Sequence, residues 1–374
     1  MCKVKEEKPE WLRWLWCAVP ATLAAAMYFG LPYLPFVAEW VFARGLFRLV
    51  AFPVEWLVSL IPFSLTEAVV VLAVPGIITV LTIWIVRLCR HPDRRRRIVV
   101  RGIRTVAWGV SLALLVYMVM CGANFSRYSL TQLMELPEKE YTAEQLQQVA
   151  MDLAVKASAA REQVQEDENG CMVLSQGLYK TLRQAEDGYR ALQDEYPYLR
   201  PATWQVKPVL LSHLWSYTGY TGVYCPWLGE SSINVDITPV EIGHTAAHEI
   251  AHTIGYAKED ECNFLGYLAC INSENPDYVY SGYLSAMNYC TNALYAHDKD
   301  MYAQVIALCS PGVIRDLKNQ RQYWKQFDGP TQETSQKVND TFIKVNGVKE
   351  GIFSYNQMVR LMLRYYDQQG WLTE

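Results

Sequence analysis

The sequence predicts an α+β protein, mostly helical, with an N-terminal α-helical transmembrane region ahead of an external domain that holds a small sheet. The uncharged stretches 14–38, 68–86 and 105–126 are each long enough for a helix to cross the ~30 Å hydrocarbon core of a bilayer. Beyond residue 126 most segments read as capped helices. Only between about 206 and 237 do short apolar runs, punctuated by Gly219, Gly222 and Gly229, take on the texture of strands and turns.

The membrane region is expected at 1–126 and the domain at 127–374, a division that suits 374 residues of 51% hydrophobic content. In the first uncharged stretch, Pro20, Pro32 and Pro35 place the spanning helix at 14–34, read as a signal anchor. Segment 39–64 differs: Arg44 and Arg48 share one helical face, Phe42, Leu46, Leu49 and Leu57 populate others, and Pro53 and Pro62 divide it. It reads as interfacial. Residues 68–86 and 105–126 are the second and third spans, and the loop between them carries Arg87, Arg90, Arg94 to Arg97, Arg101 and Arg104. By the positive-inside rule that loop is cytoplasmic, which predicts a multi-pass protein of the cell membrane with a cytoplasmic N-terminus and an extracytoplasmic C-terminal domain. Residues 1–126 carry 14 Lys/Arg against 7 Asp/Glu, and the rest 20 against 31. The basic residues sit beside apolar spans, so the partner they indicate is the lipid bilayer and not nucleic acid. Six of the ten cysteines (Cys171, Cys225, Cys262, Cys270, Cys290, Cys309) follow residue 126, and none forms a Cys-x-x-Cys zinc site. They read as small buried thiols, with pairing left open on the oxidising side of a membrane.

In the domain, Thr142 and Gln145 form a capping box that opens a helix to about Gln165, and a second helix is expected over 174–196. Strands are expected at 206–211, 221–225 and 232–237, with Glu230 as a turn residue between the last two. Thr238 then caps a helix whose first position is Pro239, Glu241 closes the capping box, and Gly255 is placed to end it in the left-handed conformation. Further helices are expected at 277–291, 299–309, 311–327, 331–345 and 354–369.

The last two turns of the 239–254 helix carry His248-Glu249-Ile250-Ala251-His252. Residues four apart share a helical face, so His248 and His252 can aim two imidazoles at one point, where Glu249 can reach a water. Two neutral imidazoles and one carboxylate would hold a single Zn2+ and leave a fourth position open, with Glu249 as the catalytic base. The chain then breaks, as a third ligand arriving from another direction requires, and Glu259 and Glu261 are the first candidates. If a second helix begins near Lys258, Glu259 and Asn263 share one face and Glu261 points away. His244, one turn before His248, is expected to be exposed, and Cys262 and Cys270 to be core contacts. Tyr280, Tyr283 and His297 follow the second helix as candidate oxyanion stabilisers.

Glu259-Asp260-Glu261-Cys262-Asn263 resembles the signature on the second zinc-binding helix of gluzincin-type metallopeptidases. The resemblance implies a zincin-like domain in which Glu259 is the third ligand and Asn263 hydrogen-bonds a ligand histidine, with Glu261 as the alternative. The spacer after the histidine pair is very short, and Asn263 stands where Asp is more usual. Lys258 occupies the position of a metzincin's third ligand and disfavours that class. The longer series is similar to an uncharacterised family of bacterial multi-pass membrane proteins: Ser216-Tyr217-Thr218-Gly219, Gly229-Glu230, the His248–Gly255 stretch, Glu259–Phe264 and Ser354-Tyr355.

Two functions remain open. One is a membrane-anchored zinc metallopeptidase that hydrolyses peptides or proteins near the membrane on the extracytoplasmic side. The alternative is a non-catalytic membrane sensor or assembly protein that keeps a structural zinc. Glu249 favours the enzyme, because a structural site is closed by four protein ligands and needs no carboxylate base.

Overall fold

A computed structural model describes residues 10–203, 205–348 and 355–372. Mostly helical, with two small sheets, it contains three helices long and apolar enough to cross a membrane, Glu10–Tyr33, Leu65–Arg90 and Pro92–Met120. Residues 1–9 and Ser354, the first half of the late Ser-Tyr pair, lie outside the described residues.

Helix α1 (Glu10–Gly30) leads through Leu31–Tyr33 into a wide π-type stretch, Ala38–Phe47, and α2 (Arg48–Ser59). Pro53 lies inside α2 and does not divide the segment, while Leu60–Phe63 separates it from α3 (Leu65–Arg90). Helix α3 buries none of its residues, and α4 (Arg95–Met120) packs along α1. The third helix therefore starts ten residues before the uncharged run, inside the arginine cluster. The run's last residues, Gly122–Ser126, form a tight turn instead. The absence of charge marks the apolar slab; the helix itself continues through arginines whose long side chains reach polar surroundings.

The interfacial segment is bound into the domain by charge. Glu39 is fully buried and accepts from Arg127 Nε at 2.8 Å and Nη2 at 2.9 Å, and from Arg44 Nε at 2.7 Å. Burial pushes the Glu39 carboxyl up, but Arg127 and Arg44 outweigh it and hold it below its usual range. Arg48 donates to the Tyr198 carbonyl at 2.6 Å. The cationic face that sequence periodicity assigns to 39–64 thus turns toward protein, and Leu49, Trp56 and Leu57 are the exposed side.

The domain opens with α5 (Ala143–Arg161), capped by Thr142 and Gln145 as the sequence predicts. Strands β1 (Gln165–Glu166) and β2 (Met172–Val173) take the place of the helix's expected last turn. The helix expected over 174–196 is broken into Leu178–Leu182 and Asp187–Leu192. Gly188, the second residue of the later piece, lies against the Ala269 carbonyl, where a Cβ would stand 1.7 Å from the oxygen.

Strand β3 (Lys207–Pro208) pairs parallel with β5 (Glu230–Ile233), and β4 (Gly222–Cys225) pairs with β5 antiparallel, giving the order β3-β5-β4. The strand just before the site helix is therefore central, and β4 takes the edge. Glu230 is not a turn residue. It is buried, pairs with Lys207 Nζ at 2.7 Å, and accepts the Leu65 and Thr66 amides at 2.9 and 2.5 Å. It caps α3, where a carboxylate meets the unsatisfied amides and positive end of a helix.

Helix α6 (Ser212–Ser216) lies between β3 and β4, and α7 (Pro239–Ile254) follows β5. After it come α8 (Glu259–Ile271), α9 (Pro276–His297), α10 (Lys299–Ile306), α11 (Pro311–Lys325), α12 (Pro330–Val345) and α13 (Tyr355–Gln368). The core is built where α5, α7, α8, α9 and α13 meet, around Leu153, Ile250, Phe264, Met287 and Met362.

Candidate metal centre

The caps of α7 explain where its last two turns point. Thr238 donates from N and Oγ1 to Glu241 Oε2 at 3.2 and 2.6 Å, and Pro239 fills the first position, where an amide would find no partner. At the other end Gly255 has φ +95°, and its amide bonds the His252 carbonyl at 3.0 Å. A side chain in that left-handed conformation would be strained. The reversal brings Glu259, the first residue of α8, back against the two imidazoles.

The Glu259 carboxylate lies 3.3 Å from His248 Nε2 and 3.9 Å from His252 Nε2. Each Nδ1 faces an acceptor: Asn263 Oδ1 at 2.9 Å from His248, and the Tyr256 carbonyl at 2.8 Å from His252. Those acceptors favour protons on Nδ1 and leave both Nε2 lone pairs facing inward. Donor atoms of His248, Glu249 and His252 lie within 4.8 Å of one another. Burial pushes the Glu259 carboxyl up, but His248 and His252 more than reverse it and hold it at about 2. His248 is pulled down by burial and raised overall by Glu259, whereas burial wins at His252 and lowers it.

Glu249 is buried, and its Oε2 has no hydrogen-bond partner among the described residues. Burial pushes its carboxyl up to about 8, against the pull of His248. Beside it, β4 comes so close that a Cβ on Gly222 would stand 2.3 Å from Glu249 Oε1. Inward Nε2 lone pairs, a carboxylate against both, and an orphaned carboxylate alongside are a donor set that fits a divalent cation of the zinc type.

Glu261 faces away, as the helical spacing predicts: its Oε1 accepts the buried Leu130 amide at 2.9 Å and lies 3.6 Å from Lys258 Nζ. His244 is buried, against the expectation of exposure. Its Nε2 lies 3.1 Å from the Asn263 carbonyl, and burial lowers its pKa to about 4. Cys262 and Cys270 are core residues, and the nine described cysteines are all unpaired.

Tyr280, Tyr283 and His297 do not reach the cluster. The Tyr280 hydroxyl donates to Asp316 at 2.7 Å, the Tyr283 ring packs on Tyr267, and His297 is exposed at the end of α9. Proximity along the chain suggests all three, but α9 turns its Ser281 and Ser285 side to the cleft instead.

The aromatic beside the two histidines comes from the strand. The Tyr224 ring stacks on His252 with centroids 6.1 Å apart at 22°, and its hydroxyl donates to Glu55 Oε1 at 3.0 Å. Glu55, on α2, is buried with Oε2 unpartnered, and burial raises its pKa well above the usual range. Nothing local marks either residue; only Tyr224's place on an edge strand could have suggested it.

These residues floor a cleft of about 880 Å³, walled by β4, α7, α9, α11 and α12, and by Tyr117 and Cys121 at the end of α4. The family model that matches the chain, over residues 42–363, is described as a protein of unknown function (DUF3810). No curated protein and no solved structure matches.

Proposed function

Since the chain belongs to the protein family of unknown function DUF3810, a membership that assigns no chemistry, we propose from the site itself that it is a membrane-anchored zinc-dependent metallopeptidase. The observation that carries the reading is the convergence of His248 Nε2, His252 Nε2 and the Glu259 carboxylate beside the unpartnered, buried Glu249. His248, His252 and Glu259 would hold the ion, with Asn263 and the Tyr256 carbonyl fixing the imidazoles. When bound, zinc supplies a Lewis acid that brings the pKa of a water toward ~7 and polarises a scissile carbonyl.

The chain's own groups supply the rest. With a cation held beside it, the Glu249 carboxylate would be kept ionised against its burial and could take a proton from a water and return it to the leaving amine. Tyr224 keeps the His252 ring in place and is itself held by Glu55. The edge strand β4 runs along the cleft with its outer side unpaired among the described strands, which suits an extended peptide. With the arginine loop cytoplasmic, the site works on the extracytoplasmic side, on peptides or on proteins near the membrane.

The test is metal analysis of the full chain in detergent together with cleavage of an unbiased peptide library. Glu249→Gln is expected to keep stoichiometric zinc and to lower turnover by about 10²–10⁴-fold, the usual contribution of a general base. Zinc bound with no cleavage by the unsubstituted chain would instead favour a structural site in a sensor or assembly protein.

A further inference from the structure

We infer that the chain has a second membrane-contacting surface besides its spanning helices. Segment 210–217, together with Trp227, dips into the leaflet on the domain's side and sets the mouth of the cleft at the lipid surface. From Pro208 to Gly229 there are 22 residues without an Asp, Glu, Lys or Arg. Part of the run is accounted for by β4 and by buried Val209, Ser212 and Ser216, but the rest does not fold inward. Leu210 is 77% exposed, Leu214 63% and Trp227 55%, with Leu211 and Tyr217 also exposed. Leu210 and Leu211 lead into α6, which carries Leu214, so three exposed leucines fall within five positions, as in an interfacial anchor and not as scattered surface residues.

Two attachments specify lipid as the occupant. The Leu210 and Leu211 amides donate to Glu67 Oε2 and Oε1 at 2.8 and 2.7 Å, and Glu67 lies in the first turn of α3, the most apolar of the spanning helices. At the other end of the run, Trp227 Nε1 donates to the Ala113 carbonyl at 3.0 Å. Ala113 lies seven residues before Met120, where α4 ends, so the indole sits ~10 Å down that helix from its end. An exposed tryptophan at that depth is an interface anchor of the kind that lines bilayer boundaries. The surface is also continuous with the interfacial segment, because Lys207 Nζ and Gln205 Nε2 bond the Val58 and Ser59 carbonyls at 2.8 Å each. Gly219 and Tyr220, directly after the exposed run, line the cleft. The mouth therefore stands where the segment enters the lipid.

The test uses the full chain in liposomes of phosphatidylethanolamine and phosphatidylglycerol. A photo-crosslinking benzoyl-phenylalanine is placed at one position at a time, and adducts are read by mass spectrometry. Position 72, seven residues after the start of α3 and 66% exposed, is the lipid-facing reference, and position 155 on α5, 54% exposed, the water-facing one. Positions 210 and 214 are expected to give lipid adducts about tenfold above position 155 and comparable to position 72, as insertion at the acyl boundary requires. Two exposed sites guard against a variant that does not fold, which the wild-type elution profile would reveal. Lipid adducts at 72 alone would overturn the inference, as would chain-to-chain adducts at 210 and 214, which would show a second copy covering the surface. No readout depends on zinc or turnover, so failure here leaves the peptidase reading untouched.

Discussion

Glu259 and Glu261 differ by two positions and are placed in opposite surroundings, so exchanging each for alanine separates metal binding from folding. Glu259 faces both Nε2 atoms at 3.3 and 3.9 Å, whereas Glu261 accepts the buried Leu130 amide at 2.9 Å. A structural zinc site contributes roughly 10–16 kcal/mol. One donor in three then scales to about 3–5 kcal/mol, or about 10²–10⁴-fold in affinity. Glu259→Ala should show that loss in a competition titration against a metal buffer, with little change in the melting temperature of the metal-free chain. Glu261→Ala should bind zinc as the parent does but melt lower, because an unsatisfied buried amide costs about 1–3 kcal/mol. At ~2–4 °C per kcal/mol for a domain of this size, the drop is roughly 2–12 °C. Asn263→Ala, which frees His248 Nδ1, should weaken zinc by about 10–100-fold and fall between the two. If Glu261→Ala loses the metal and Glu259→Ala only the stability, the register assigned to α8 is wrong and Asn263 has no part in the site.

Three other outcomes are expected. Gly222→Ala puts a Cβ 2.7 Å from Glu249 Cγ and Cδ, about 1 Å inside normal contact; zinc content should hold while turnover falls by about 10²-fold, and unchanged turnover would remove Glu249 from the chemistry. A reporter fused after residue 98 should be active only in its cytoplasmic form and one at the C-terminus only in its exported form, the reverse pattern inverting the molecule. Arg127→Met leaves the buried Glu39 with Arg44 alone and should cost up to about 3–5 kcal/mol in thermal unfolding, the cost of breaking a buried pair. Because Glu39 is held below its ordinary value, the parent's share of that stability is complete above the unfolded carboxyl's pKa of ~4.3 and lost as pH falls through the folded value. The variant's stability should depend less on pH in that acid range.

Much of the candidate site is legible in the sequence because its determinants are local. Thr238, Pro239, Glu241 and Gly255 fix both ends of α7, and four-residue spacing puts His248 and His252 together and Asn263 behind Glu259. What the sequence withholds depends on distant partners. Glu230 follows a glycine and reads as a turn until Leu65, Thr66 and Lys207 close around it. His244 is polar and reads as exposed until α8 covers it. The helix expected over 174–196 is interrupted at 183–186, and neither that turn nor the close approach of Gly188 to the Ala269 backbone is marked by local propensity. Tyr224 gains its place beside His252 from strand pairing, which periodicity alone does not rank above the chain's other tyrosines.

The buried contacts of segment 38–59 bear on how the chain matures. Arg127, pinned by Glu39, donates to the Gly255 carbonyl at 2.9 Å; Phe47 closes over Gly255; and Glu55 holds Tyr224. All three supports emerge from the ribosome well before the histidines they serve. A growing chain therefore carries the braces of the site before its histidines are made. A copy clipped near residue 127 would lack these braces and leave the Gly255 turn and Tyr224 unsupported.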